Sequence, residues 1–430
     1  MSIFEVEGGH ELAGSIRPTG NKNAALPCLA ATLLSREPVV LGNIPRIRDV
    51  ETLLEILVSL GADVQWTGPG EVRVDASAVE AGRPDPQLAE RIRASILLAG
   101  PLLARFGSVT LPPPGGDVIG RRRLDSHFLA FREMGADIDL QGSEFQIRAK
   151  ALHGADIFLD EPSVTATENA IMAAVLARGI TRLRNSAAEP HVQDLCQLLV
   201  EMGARIRGIG THVLEIEGVR ELHGARGSIG ADHIETGSFI GLAAVTRSRL
   251  RIEDAPLEHL DSTLLGFGRL GVETEVDGGD LIVHGDRGGE IRQDAFGHVP
   301  KVDDGPWPAF PADLTSIALV TATQARGTIL VHEKMFESRM FFTDKLVGMG
   351  ARIILCDPHR AVVVGPSPLR AASLESPDIR AGMALLLAAL AARGTSRIHN
   401  IRQIERGYER IDERLASLGA RIRRLGGEEL

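Results

Sequence analysis

An apolar helical stretch that ends in Leu-Gly or Met-Gly and runs into alternating β residues occurs six times in this chain: SLGADVQW, EMGADIDL, EMGARIRG, RLGVETEV, GMGARIIL and SLGARIRR. The glycines are Gly61, Gly135, Gly203, Gly271, Gly350 and Gly419, spaced 74, 68, 68, 79 and 69 residues apart. A period of this length means that one supersecondary unit is used repeatedly, which constrains the fold more than any bulk property does. Each glycine stands where a helix must end with φ > 0, and the residues after it alternate as a strand does. Upstream, each unit carries a further apolar helix and a short strand, as in ATLLSREPVVLGN and ATQARGTILVHE. The unit therefore reads β-α-β-α-β-β.

Six such units make either a solenoid or two clusters of three. Solenoid repeats are shorter and need polar caps, whereas three units make an ordinary domain. The expected architecture is α/β with two domains: domain I over 22–230, carrying a glycine-rich lid loop, and domain II from 1–21 plus 231–430. The first nineteen residues read as a strand pair that must join another sheet, most economically that of the last units. Crossings near Gly20 and Gly230 would make a hinge that closes on ligand.

Aligning the units gathers the chemically unusual residues at two equivalent places. One is the N-terminus of the first helix: GNKNAALP, RIRASILL, PSVTATEN, HIETGSFI, FPADLTSI and DIRAGMAL. The other is the loop before the second helix: PPPGGDVIGRRRLDSH, EKMFESR and IRQIERGYER. Helix N-termini offer unpaired N–H groups and the positive end of a dipole. With Lys22, Arg93, Arg122, Arg339, Arg380 and Arg406 placed there, the expected ligand carries several phosphate or carboxylate charges. Only five of the 47 basic residues are lysine, so Lys22 is a rare choice. Each feature alone has a plainer reading: RRRLD as a solvated face, Asp313 as a helix cap, Glu337 with Arg339 as an exposed ion pair. Their convergence on one end of a repeated unit favours a site.

Composition excludes several classes. A net charge of −10 with 4% aromatic residues lacks the basic face and stacking rings of nucleic-acid binders. Cys28, Cys196 and Cys356 form no CxxC pair, which suggests neither a disulfide framework nor a zinc site and fits a reducing cytoplasm. The longest apolar stretch, Ala381 to Ala392, is too short to span a membrane. No Gly-Lys dipeptide, HExxH, GxSxG or strand-linked GxGxxG is present, and the 13 histidines lack metal-ligand spacing. No metal and no organic cofactor are expected.

The chain resembles the enolpyruvyl transferase family along essentially its whole length, through GNKNAALP, RIRASILLAGPLLARFG, PGGDVIGRRRLDSH, PSVTATEN, HIETGSF, AFPADL, FESRMF, DIRA and RGYERI. Within the family it is most similar to the branch that transfers the enolpyruvyl group of phosphoenolpyruvate to the 3-hydroxyl of UDP-N-acetylglucosamine, a step of peptidoglycan precursor synthesis. The resemblance implies two inside-out α/β domains of three units each, with those two small molecules as partners. It implies that Lys22 and Asn23 touch phosphoenolpyruvate and the sugar, and that Arg93, Arg122 and Arg406 hold phosphate and carboxylate groups, with Arg339 and Arg380 nearby. It places Arg122, Arg123, Leu124, Asp125 and Ser126 along the uridine and diphosphate and the Met335 backbone against the nucleotide sugar. Asp313 becomes the general base on the acceptor hydroxyl. Asp117 stands where most members carry a catalytic cysteine. A cysteine thiol, which ordinarily titrates near pH ~8.5, is protonated at neutral pH, whereas an ordinary aspartic acid, titrating near ~3.9, is not. Asp117 therefore needs desolvation or a hydrogen bond on lid closure to donate a proton, and Lys22 is the alternative donor. The epoxide antibiotic fosfomycin alkylates the family's cysteine, so this variant is expected to be insensitive.

The sequence also departs from the family at Arg123 and Ser126, where proline and an apolar residue are usual, at Trp307 for a common histidine, and at Glu161 for an occasional lysine. These departures concern the nucleotide side, so two rivals stand: an enolpyruvyl transferase for another nucleotide or nucleotide-sugar acceptor, and a non-catalytic paralogue that binds UDP-sugars.

Overall fold

The computed structural model describes residues 2–80, 83–117, 119–142 and 144–426, so Val118 of the glycine-rich loop and the last four residues lie outside it. The chain forms two compact units. The first comprises Gly20–Asp117 and Arg122–Gly230; the second comprises residues up to Thr19, then Ile119 to Arg121, and everything from Ala231. Each contains three small sheets.

Local chemistry explains the recurring element order. All six Leu/Met-Gly glycines have positive φ, between 78° and 104°, and each terminates a helix by letting the chain turn where a Cβ would be strained. The strands expected after them are present at Asp63–Gly68, Asp137–Gln141, Arg205–Arg207, Thr274–Asp277, Arg352–Asp357 and Arg421–Leu425. Burial separates two kinds of helix. In the second unit, His233–Val245, Thr315–Gln324 and Ile379–Ala391 are apolar on all sides, nearly every residue is buried, and the three pack against one another. The strands outside them bury alternate residues only; Arg360–Gly365, for example, buries Ala361, Val363 and Gly365. Helices lie inside and sheets outside. This is an inside-out α/β arrangement, and the first unit repeats it around Lys22–Ala31, Ala99–Phe106 and Val164–Ala174.

Two details differ from the sequence expectation. The two N-terminal strands do not stay together: Ile3–Gly8 inserts between Gly394–His399 and Arg421–Leu425, as expected, but Ala13–Ile16 pairs in parallel with Arg249–Ile252 of the fourth repeat. Each sheet needs a parallel strand ahead of the one that follows its first helix, and Ala13–Ile16 supplies it there. Arg226–Ser228 does the same for the first repeat, along Val40 to Gly42. Among the described residues, the second repeat lacks this leading strand, and its sheet has three strands, Ser108–Leu111, Glu144–Arg148 and Asp137–Gln141.

Candidate functional site

In the first unit, the Asn21 side chain accepts the N–H groups of Asn23 (2.8 Å) and Ala24 (3.3 Å) and so caps the helix Lys22–Ala31. Lys22 is the first residue of that helix and is 8% exposed. Its Nζ lies 2.7 Å from Oδ2 of Asp49, which is 4% exposed and sits in the first turn of Arg48–Ser59, where the helix dipole favours an anion. A lysine this buried is stable as a cation only when paired. Asp49, the partner of Lys22, is a residue that sequence reasoning missed; the only signal was that a lysine at the start of an apolar helix needs a counter-charge.

Arg93 opens the 3₁₀ turn Arg93–Leu98, and its Nη2 donates to the Arg122 carbonyl at 2.8 Å. Burial, with a smaller contribution from the Arg122 charge, pushes its pKa down to about 10. Arg93 Nε is buried without a hydrogen-bond partner among the described residues, so the guanidinium retains donor capacity. The loop that ends in Asp117 lies directly against this segment. A Cβ on Gly115 would come 1.8 Å from the Glu90 carbonyl, and one on Gly116 2.9 Å from Arg93 Cβ. Only glycine permits that approach, and half-buried Asp117 follows immediately. Arg93, Arg122 and Asp117 are thus brought together.

The stretch from Arg123 to Ser126 leads into the helix Asp125–Glu133. Ser126 Oγ donates to Asp160 at 2.6 Å, while Arg123 Nη2 lies 3.2 Å from Asp160 and 3.3 Å from Glu161. Leu124 is half-buried and Asp125 is exposed. Behind them, Asn169 accepts the Gly100 N–H (2.7 Å) and donates to the Ile96 carbonyl (2.8 Å) and to His127 Nδ1 (2.9 Å). Because Nδ1 accepts, His127 is a neutral imidazole whose Nε2–H reaches Thr165 Oγ1 at 3.1 Å. Burial, with a smaller effect of Arg93, pushes its pKa down to about 3. His127 is a structural contact that ties three elements together. Cys28 and Cys196 are likewise buried, and burial raises both thiols, that of Cys196 to about 12. Neither is a nucleophile.

In the second unit the sequence-selected residues converge on Asp313. Its Oδ1 accepts from Arg339 Nη2 at 2.5 Å, and its Oδ2 from Arg380 Nε at 3.0 Å, with Arg380 Nη2 at 2.9 Å. Asp313 sits in the turn before the helix Thr315–Gln324, and Arg380 in the first turn of Ile379–Ala391, so two core helices aim their N-termini at one place. Burial alone would raise the Asp313 pKa; Arg380 and then Arg339 outweigh it and hold the carboxyl well below the usual carboxylate range. One carboxylate between two guanidinia leaves a net positive charge, which suits a further anion. Arg380 Nη1 also donates to Tyr408 Oη at 3.2 Å, and Tyr408 Oη lies 2.9 Å from Ser238 Oγ, which donates to the Ile234 carbonyl. Ser238 having spent its proton there, the tyrosine must donate to it and accept from arginine. The chain's one tyrosine thus orients Arg380, a role the sequence reading did not assign. Half-buried Arg406, two residues earlier, donates to Gln403 Oε1 at 2.9 Å. Met335, 39% exposed, lies on the segment that leads to Arg339.

Comparison with known proteins follows the same lines. Residues 6–415 match the family model described as EPSP synthase (3-phosphoshikimate 1-carboxyvinyltransferase). A UDP-N-acetylglucosamine 1-carboxyvinyltransferase of Bradyrhizobium diazoefficiens is 62% identical over 98% of both chains. Its namesake in Treponema denticola is 54% identical over 98% of this chain and 99% of that one. Among solved structures, the enolpyruvyl transferase NikO from Streptomyces tendae superposes with a TM-score of 0.87 at 26% identity, covering 98% of each chain. An EPSP synthase from Acinetobacter baumannii shares the fold, with a TM-score of 0.75 at 17% identity over 99% of this chain and 100% of that one.

Proposed function

This chain belongs to the enolpyruvyl transferase family, and from that premise we propose that it transfers the enolpyruvyl group of phosphoenolpyruvate to the 3-hydroxyl of UDP-N-acetylglucosamine, releasing phosphate. The observation that carries this reading is the Asp313 carboxylate held charged between Arg339 and Arg380. Such a group accepts a proton only as one develops on an attacking hydroxyl, and the surplus positive charge beside it suits an acidic co-substrate.

The chemistry asks for one acid, one base and a set of cations. Protonation of C3 makes C2 of phosphoenolpyruvate electrophilic. The acceptor oxygen bonds to C2 as Asp313 takes its proton, giving a tetrahedral ketal phosphate. The C2–O bond to phosphate then breaks, C3 loses a proton, and the enol ether is restored. Asp117 is the proton donor to C3 in this reading, with Lys22 the alternative. Arg93, Arg122, Arg339, Arg380 and Arg406 neutralise phosphate and carboxylate, Asn23 and the Met335 backbone meet the sugar, and the stretch from Arg123 to Ser126 follows the nucleotide. The setting is the cytoplasm, where a peptidoglycan precursor of this kind is made and serves cell division.

Incubation with phosphoenolpyruvate and UDP-N-acetylglucosamine, followed by measurement of phosphate, tests the reading: stoichiometric release is expected, and binding of both without release would leave a sensor. A second reading, transfer to a different nucleotide acceptor, is favoured by Arg123 and Ser126 turning to Asp160 and Glu161; release with another nucleotide alone would establish it. Because a carboxylate is a weak nucleophile toward an epoxide, fosfomycin should leave the wild type active, and Asp117→Cys should be inactivated covalently while retaining turnover. Mass spectrometry of the treated proteins checks both, and a fosfomycin adduct on the wild type would refute the expectation.

A further inference from the structure

Asp304 and Glu333 follow directly on two parallel strands, Lys301–Asp303 and Gly327–His332, whose register pairs Asp303 with His332. The next step of that register sets the two acids side by side. They are 1% and 0% exposed, and the Asp304 carboxyl, like the Thr315 hydroxyl, lies close enough to the Glu333 carboxyl to act on it as a hydrogen-bonding neighbour. Each has one oxygen occupied by a backbone donor: Asp304 Oδ1 by Lys334 N–H at 2.5 Å, and Glu333 Oε1 by Phe336 N–H at 3.2 Å. The other oxygen of each, Asp304 Oδ2 and Glu333 Oε2, is buried without a donor among the described residues. Two facing acceptors cannot bond unless a proton lies between them.

The surrounding charges leave the acid pair no cation of its own. Around Arg339 act the carboxylates of Asp313, Glu333 and half-buried Asp378, with the Arg380 guanidinium also close. The Lys334 ammonium, with that of Lys301, belongs to Asp303. His359 meets only the Glu333 backbone, its Nδ1 2.7 Å from the carbonyl, and His332 offers its carbonyl to Asp304 N–H at 3.3 Å. The side chain of Thr315 faces the Glu333 carboxyl and is uncharged.

We propose that Asp304 and Glu333 share a single proton and act as a positioning pair that leaves the Arg339 guanidinium to Asp313 and to the anionic substrate. Were Glu333 to ionise, its carboxylate would compete for Arg339, whose buried Nε has no other partner among the described residues. Burial is the main cause that pushes the Glu333 pKa up to about 9; Arg339 opposes it and Asp304 supports it. The proton stays through the neutral range and is lost in alkali.

The infrared difference spectrum of the intact wild type minus Glu333→Gln, without substrate, cancels the other buried carboxyl that burial raises, Glu168, and should show a protonated-carboxyl stretch at neutral pH. That band should fade as pH rises through about 9. Glu333→Gln, whose amide donates to Asp304 as the acid does, should keep KM for phosphoenolpyruvate and lose the alkaline fall in kcat/KM. Asp304→Asn, which keeps Glu333 buried but removes the charge that supports its proton, should retain the band and shift its fading to lower pH. A difference spectrum without the band, an Asp304→Asn protein whose band fades no earlier than that of the wild type, or a Glu333→Gln protein that keeps the alkaline fall would overturn the proposal. Should Glu333→Gln fail to fold, a band that survives Glu168→Gln and fades through about 9 decides instead. The kinetic arm rests on the reaction proposed above, but the infrared arm needs no substrate, so failure of one reading is distinguishable from failure of the other.

Discussion

The two units place buried charge in opposite proportions. In the first, Lys22 holds Asp49 at 2.7 Å. In the second, one carboxylate, Asp313, is shared between Arg339 and Arg380. A closely paired lysine has its desolvation offset by the partner, whereas a carboxylate shared by two guanidinia leaves donors unspent. The first unit thus presents its lysine already paired and relies on Arg93 for free donor capacity, while the second keeps that capacity beside its acid, at Arg339 Nε.

The sharpest way to break this comparison is to neutralise each acid in turn. Asp313→Asn should lower kcat by about 10²–10⁴-fold, the range for a lost general base, with much less effect on phosphoenolpyruvate affinity, because both guanidinia remain. Asp49→Asn should change kcat far less, and equal losses in steady-state kinetics would erase the distinction. Next in size is stability. Lys22→Ala takes the close cation from buried Asp49, at a cost of up to about 3–5 kcal/mol; adding Asp49→Asn should recover most of it. Denaturant unfolding checks this, and a double variant as unstable as Lys22→Ala alone would show that Asp49 is not the partner that matters.

The most gradual effect is in pH. Burial holds both His127, in the first unit, and His233, in the second, down to about 3, so each is neutral in the fold. Below the unfolded value of ~6.5 the unfolded chain binds the extra proton, and stability falls by about 1.4 kcal/mol per pH unit for each histidine until about pH 3. Asp313, held below its unfolded value of ~3.9, keeps its contribution above that pH and loses it only in stronger acid. Unfolding between pH 6 and 4, a range set by these histidine values, should therefore show a slope that His127→Gln shallows and Asp313→Asn leaves alone; the reverse result would reassign the acid sensitivity.

Much of this was legible in the residues, for a physical reason. Helix ends, strand alternation and the six glycines are local, so Gly61 and its five counterparts announced both the unit and its boundaries. Asp313, Arg339 and Arg380 were legible because equivalent positions of a repeat can be compared within one chain. What stayed hidden depends on partners distant in sequence. Nothing near Ala13–Ile16 says that it lies along Arg249–Ile252. Asp49, Asp160 and Tyr408 look like ordinary surface or core residues until the fold brings them to Lys22, Ser126 and Arg380. The Glu333–Asp304 pair was hidden twice over, because its meaning lies in a proton as well as in a register.

The insertion of Ile3–Gly8 between Gly394–His399 and Arg421–Leu425 has a consequence for how the chain is made. The first unit can close as soon as Arg226–Ser228 has been synthesised, since that strand completes its first sheet. The second cannot, because Ile3–Gly8 is made before the first unit, while its sheet partners follow only after nearly all of the second. That strand must wait for them, and the contacts that finally engage it are among the most non-local of the described residues.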